Sequence, residues 1–438
     1  MNTLSTSGQY NYFYKALNFF LGLAIYFVLD WAYRTQISVT YMYEGYRLDS
    51  SPERIIIGKI IVLSVLAFIT LKSLSPFIYT MLMIINLFIL FPNVVLFENM
   101  DAQPEILFGI LLLEISIVFF SAFRYPISVN QVRIDKRIKV LLIIILISIV
   151  PFLIIYRFDF NFRNLLFEDI YDTRFEAREK RTFFTGYAYS VLTKVIIPVF
   201  LIFTIYYKKY LFTLVGIILL VYLFLCGAHK GVLLGALLIL AFYFLEYYKK
   251  LAIVLGVFLV AILLCYYLKE KNGNVELESI VVRRTFFLPA YLNICYFEFF
   301  ADNPMRLSHS ILSPIYQYPY PVEPTNMIGW HYFNNIKSGA NNGVVSDGYM
   351  NFGIPGEIIF CVITGWLVAF FDSLNISHKF GGLFIYFIVT INGSALFTLL
   401  LTHGGIVLVL VGLYFLQNTQ EEFETGAEIE SGQELEQV

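Results

Sequence analysis

Charge is what this chain has least of. Charged residues make up 14% of its 438 positions and apolar ones 58%, whereas a soluble domain carries roughly 25% charge. A fold this apolar needs the bilayer as its solvent. Cysteine is scarce too. Cys226, Cys265, Cys295 and Cys361 stand singly, without metal-ligand spacing, and Cys226, Cys265 and Cys361, in or at the ends of apolar runs, read as small buried hydrophobes. There is no Walker lysine loop, no dinucleotide glycine fingerprint and no zinc-protease histidine pair. No paired-aspartate nucleotide-sugar motif stands in a cytoplasmic loop. Together these absences argue against ATP-driven work, nucleotide-sugar donors, a bound metal and any other cofactor. No ten-residue alternation suggests a β-barrel. No internal repeat stands out, which weakens a transporter built from inverted halves. The net charge of -2 carries no message about nucleic acid.

What the chain has in abundance is long apolar runs. They lie near 12–31, 55–72, 76–96, 105–122, 139–156, 183–205, 210–226, 231–247, 251–267, 354–371, 381–400 and 403–416. Backbone in lipid must satisfy its own hydrogen bonds, so these runs predict helices. The expectation is an all-α integral membrane protein of about twelve spans (roughly 11–13). The first run, Phe19 to Trp31, follows Lys15 without a small-x-small cleavage site, and reads as a retained helix. The polytopic domain is 1–417; the acidic, apolar-poor remainder, 418–438, reads as a disordered cytoplasmic tail.

The basic loops set the direction. The link 123–139 carries Arg124, Arg133, Lys136, Arg137 and Lys139, and Lys208–Lys209 and Lys249–Lys250 agree with it in parity. Both termini then face the cytoplasm, and the long loops 157–182 and 268–353 lie outside. That leaves Arg157, Arg163, Arg174, Arg178, Lys180 and Arg181 on the face where cations are disfavoured. An anionic ligand there supplies a reason.

Arg174, Arg178 and Arg181 stand at i, i+4 and i+7, one face of a short helix feeding the sixth run. Guanidinium groups keep their charge and fork onto phosphate oxygens. The bland alternative is a self-paired surface helix, because Asp172, Glu176 and Glu179 interleave. Arg283 and Arg284 open an aromatic run containing Tyr291, which reads as a helix along the membrane interface or a plain anchor. The Pro/Tyr stretch 314–324 cannot be helical. Residues 339–358, with Asn341, Asn342, Asp347 and Tyr349, suit a re-entrant or pocket-lining backbone for sugar hydroxyls, or a polar loop. Gly227, Gly231 and Gly235 form a small-residue stripe for helix packing. Beside it, Lys230 snorkels or joins the arginines. Glu114 and Lys194 lie within runs, where charges pair or face inward.

Three stretches, the arginine-rich loop ending at 181–187 (RTFFTGY), 283–300 (RRTFFLPAYLNICYFEFF) and 341–358 (NNGVVSDGYMNFGIPGEI), resemble the Wzy-type O-antigen and capsular polysaccharide polymerases. GAHKGVLLGALL also resembles the small-basic-small hairpin of those proteins, and the likeness in layout spans nearly the whole chain. Arg174 and Gly186 are twelve apart, close to the arginine-to-glycine spacing of that family's outer loops. The resemblance implies a GT-C-like architecture in the bacterial inner membrane. It also implies a metal-independent glycosyltransferase that moves a growing glycan from undecaprenyl pyrophosphate onto a new lipid-linked repeat unit. Its partners would be those lipid-linked oligosaccharides, membrane lipid and a chain-length-determinant protein. In that reaction cations neutralise the departing pyrophosphate. The candidate catalytic residues are Asp347 as base, Arg178 and Arg284. Arg174, Arg181, Lys230, Arg283, Tyr291, Asn341, Asn342, Tyr349 and His331 are candidates for binding substrate, with His331 and Glu298 as further bases. Two rivals stay open: an O-antigen ligase using His309 or His331, and a lipid-linked oligosaccharide flippase, whose charge should sit within the spans.

Overall fold

A computed structural model describes residues 3–123, 125, 129, 133–158, 160, 162–166, 170–244, 247–273, 275–419 and 421–422. The regular elements among them are all helical. We number them in chain order. The first five are α1 (Asn11–Thr40), α2 (Pro52–Leu71), α3 (Pro76–Met100), α4 (Pro104–Ser121) and α5 (Asp135–Tyr156). Then come the short α6 (Ile170–Lys180), α7 (Phe183–Tyr206), α8 (Tyr210–Gly227), α9 (Gly231–Ala241) and α10 (Tyr247–Asn272). The last are α11 (Leu288–Phe300), α12 (Pro324–Phe333), α13 (Val344–Ser373), α14 (His378–Ile391) and α15 (Gly405–Leu416).

Among the described residues nine of these helices, α1 to α5, α7, α8, α10 and α13, are long and apolar enough to cross a membrane. The apolar runs at 231–247, 381–400 and 403–416 yield only the shorter α9, α14 and α15. Their apolar sequence continues where the helix does not: α9 ends in turns after Ala241, and α14 in turns after Ile391. A chain of apolar residues therefore overstates helix length where turns interrupt it. The first spans have clear start signals. α2, α3 and α4 open on proline, whose missing N–H is no loss at a helix start, and Ser75 caps α3 by accepting from Ile78 N at 3.1 Å.

The described chain divides into two compact units. Unit 1 comprises Met1–Arg124, Tyr247–Phe370 and Ile388–Leu396. Its centre is α3, whose residues Phe77–Met100 are all buried, beneath α1, α2, α4, α10 and α11. A helix apolar on every side belongs in a core. The aromatic run expected along the membrane interface is in fact α11, and Ala290–Phe297 are consecutively buried. An interfacial helix would keep a polar face along its length, and this one exposes a single charged residue, Glu298, near its end. Unit 2 comprises Tyr125–Glu246, Phe371–Phe387 and Phe397–Val438, with α7 packed on α5, α8 and α9.

The acidic tail starts later than its composition predicts. Within unit 2, Glu422 forks onto the buried Arg137 at 2.8 and 2.9 Å, and Thr419 accepts from Ser377 N at 3.0 Å. The rest of the tail, 423–438, lies outside the described residues.

Candidate functional site

In unit 2, the arginine segment is the helix its spacing predicts. α6 ends at Lys180, and a capping box, Thr182 with Thr185, restarts the chain as α7. Arg174 is half-buried and donates to the Ala228 carbonyl at 3.0 Å, tying α6 to the turn after α8. Arg178 is exposed and lies over the Phe175 ring at 6.0 Å. Arg181 folds over Gly186, where an added Cβ would come within 2.4 Å of its Nε. The self-paired surface helix does not form at the positions whose side chains are described. Among the described residues neither Arg178 nor Arg181, nor Glu176 or Glu179, makes an ion pair. Asp172 and Lys230 have no described side chain.

His229 joins this group. Its ring packs against Tyr189 at 5.5 Å. Although part of the ring is exposed, desolvation by its neighbours, then the charges of Arg174, Arg178, Lys194 and Arg181, push the imidazole down to about 4. Four cations acting on one histidine, with no acid among the causes, describe a strongly positive corner. Lys194 pairs with a base and not with an acid: its Nζ lies 2.7 Å from His403 Nδ1. Glu114, the acid that the sequence places within the fourth run, keeps Oε1 without a hydrogen bond. Sequence reasoning missed His403. A lone histidine 209 positions from Lys194 leaves no local signal.

Unit 1 holds the other candidates. α13 is broken at Phe352 and Gly353, where Gly353 takes φ +64, a conformation that suits glycine. Pro355 follows and cannot continue the first arm. The two arms touch backbone to backbone: a Cβ on Gly348 would meet the Gly356 carbonyl oxygen at 2.5 Å. The break frees carbonyls that the segment after α11 then takes. Met305 N donates to Met350 O, and Arg306 N to Asn351 O, both at 2.9 Å. So 344–351 is neither a plain loop nor an unbroken helix; it is a short buried arm folded on a longer one.

Asp347 lies in that arm, 3% exposed. Its Oδ1 accepts from Asn351 Nδ2 at 3.0 Å and its Oδ2 from Leu396 N at 2.8 Å. Asn351 Oδ1 in turn accepts from Leu307 N at 2.9 Å. Three segments are thus held by one carboxylate. Behind it, Ser346 donates to Asn293 Oδ1 at 2.7 Å, and Asn293 to Asn93 Oδ1 at 3.2 Å. Asn342 is buried beside Asp347, while Asn341 is exposed. Tyr349 stacks on Phe297 with ring centroids 3.9 Å apart.

The remaining candidates in unit 1 lie apart from this network. Arg283 is ion-paired with Glu44, bonded to Ser279 at 2.9 Å and stacked on Tyr41 at 4.5 Å. Its charge is spent inside the protein. Arg284 next to it is exposed. Tyr291 is buried against Tyr46, and its hydroxyl covers Gly45. His331 is exposed on α12, 5.2 Å from the Phe299 ring. The candidate residues are therefore divided between the units, with Arg174, Arg178, Arg181 and Lys230 in one and the rest in the other. No family model, curated protein or solved structure matches this chain.

Proposed function

We propose that this multi-pass membrane protein is a polymerase of undecaprenyl-pyrophosphate-linked oligosaccharide repeat units, working at the outer face of the bacterial cytoplasmic membrane. The supporting observation is the positive corner of unit 2, where Arg178, Arg181, Lys194 and His229 carry no acidic partner among the described residues. Cations held without counter-charges suit a pyrophosphate leaving group, whose developing charge they offset as the glycosidic bond to it breaks. The three stretches that resemble Wzy-type polymerases give the class of substrate. On this reading the short α9, α14 and α15 complete twelve passes in a GT-C-like arrangement with both termini cytoplasmic.

Arg174, Arg178 and Arg181 hold the donor pyrophosphate, and holding two lipid-anchored reactants together supplies much of the rate. Asp347 shapes the outer surface of unit 1 by fixing the broken helix, and Arg283 does the same for its surroundings. The exposed Arg284, Asn341 and His331 are the groups of unit 1 left open to a glycan.

The test is chain growth from a defined lipid-linked repeat by the purified protein in nanodiscs, with and without a chelator. Ladders longer than one repeat are expected in both. Arg178→Ala should abolish them at normal protein level, and Arg178→Lys should restore little, because a lysine cannot fork onto two oxygens. No growth by the wild-type protein overturns the reading. Gene deletion should leave surface glycan capped at one repeat; its complete loss would instead point to the ligase or the flippase.

A further inference from the structure

The Lys194–His403 pair has a geometry that the arginine cluster alone does not explain. Lys194 lies inside a π-helical turn, Leu192–Ile196, and His403 ends another, Thr398–Thr402. Such turns insert a residue into a helix and occur often at functional positions. Here both bring a basic side chain to the same point. An N···N bond of 2.7 Å requires a lone pair on one partner, so the two nitrogens cannot both be fully protonated. Among the described residues, the groups around them add no negative charge. Lys194 lies 5.8 Å from the Tyr386 ring, and Lys194, Arg174, Arg178 and Arg181 all act on His229. Tyr189, against His229, is the other titratable neighbour.

Along α7 these groups form a series. Arg181 covers Gly186, His229 packs on Tyr189, and His403 bonds Lys194. At about 1.5 Å per residue, Gly186 to Lys194 spans roughly 12 Å, running from the start of the span toward its middle. The positive charge thus continues from the loop into the apolar segment, and it ends on a pair that is one proton short of two cations.

We propose that Lys194 and His403 form the inner end of the anion site, and that a phosphate or diphosphate bound there draws one further proton onto the pair. The inference rests on reading the arginines of α6 as a phosphate site and adds its depth and its coupling to protons. A dianion beside the pair offsets the repulsion between two charged nitrogens, so the second proton, taken from solvent, becomes stable only with the ligand bound. The ligand is a phosphate or diphosphate group, either free or at the head of a lipid.

The test is calorimetric titration of the full chain in zwitterionic nanodiscs at pH 7, in two buffers of different ionisation enthalpy. The probes are inorganic pyrophosphate and farnesyl pyrophosphate. The wild-type protein should take up about one more proton per anion than His403→Asn, with His229 common to both. Lys194→Met should weaken binding roughly tenfold or more, the scale of one charge-assisted hydrogen bond. Tighter binding of the farnesyl ester identifies a lipid headgroup; equal affinities identify a free anion. Equal proton counts in wild type and His403→Asn overturn the proposal, as does unchanged affinity in Lys194→Met. If either variant is not monodisperse, the wild-type protein decides alone: no proton uptake beyond that of the probe itself refutes the coupling. No glycan enters this measurement, so failed chain growth with intact proton-linked binding would sink the polymerase reading and leave this one standing.

Discussion

Replacing Asp347 by asparagine asks whether its carboxylate performs chemistry or holds the fold. The substitution keeps shape and removes one acceptor. Two donors now share two oxygens, the Leu396 N–H at 2.8 Å and Asn351 Nδ2 at 3.0 Å, whose second hydrogen goes to the Asp347 carbonyl at 2.9 Å. Asparagine offers one oxygen and one NH2, so one donor must face another donor. Asn351 cannot rotate to relieve this, because its own oxygen already accepts from Leu307 N. Water cannot substitute at a residue 3% exposed. A buried donor left unsatisfied costs about 1–3 kcal/mol. At about 2–4 °C per kcal/mol for a fold of a few hundred residues, the unfolding midpoint should fall by several degrees. Fluorescence-monitored unfolding in nanodiscs measures the shift, and chain growth below the new midpoint measures activity. The clamp reading expects reduced stability with activity remaining at low temperature. A variant with the wild-type midpoint and no chain growth would refute it and return Asp347 to the chemistry.

The remaining predictions follow from the same reasoning. Gly348→Ala places a Cβ 2.5 Å from a backbone oxygen that cannot give way; overpacking of this kind costs about 1–3 kcal/mol, read as a lower midpoint. Gly256→Ala, in α10 with nothing within 4 Å, is the control and should be neutral or slightly stabilising. Glu422→Ala removes the half-exposed carboxylate from the buried Arg137, which keeps its bond to the Phe415 carbonyl at 3.0 Å, so the midpoint should fall by the loss of charge-assisted hydrogen bonds, about 1–3 kcal/mol. His229, held at about 4 by burial and its cationic neighbours, should titrate at higher pH once pyrophosphate is bound, because an anion favours the charged imidazole. Histidine-selective NMR reads this directly, and an unchanged titration would place the anion elsewhere.

The elements written in local patterns were the legible ones. Apolar runs marked the long spans, the i, i+4, i+7 arginines marked α6, and the small and amide residues of 339–358 marked a backbone that is not a simple helix. Each depends on neighbours within a turn or two, which periodicity and residue type report. Pairs joined across the chain were not legible. Arg283 meets Glu44 across 239 positions and Lys194 meets His403 across 209, and only packing decides such meetings. The same limit explains α11. Its aromatic density suggested a membrane surface, but whether an aromatic face meets lipid or protein depends on what lies around it. Helix lengths erred for a related reason, since a turn inside an apolar stretch leaves hydropathy unchanged.

The broken helix carries a consequence for how this protein can vary. Met305 and Arg306 bond to the carbonyls that Met350 and Asn351 can no longer place within a helix. The segment at 305–306 is therefore an integral piece of the α13 backbone. Most residues can stand at 305 and 306 without harm to this junction, but a proline at either would leave one of the two carbonyls without its backbone donor.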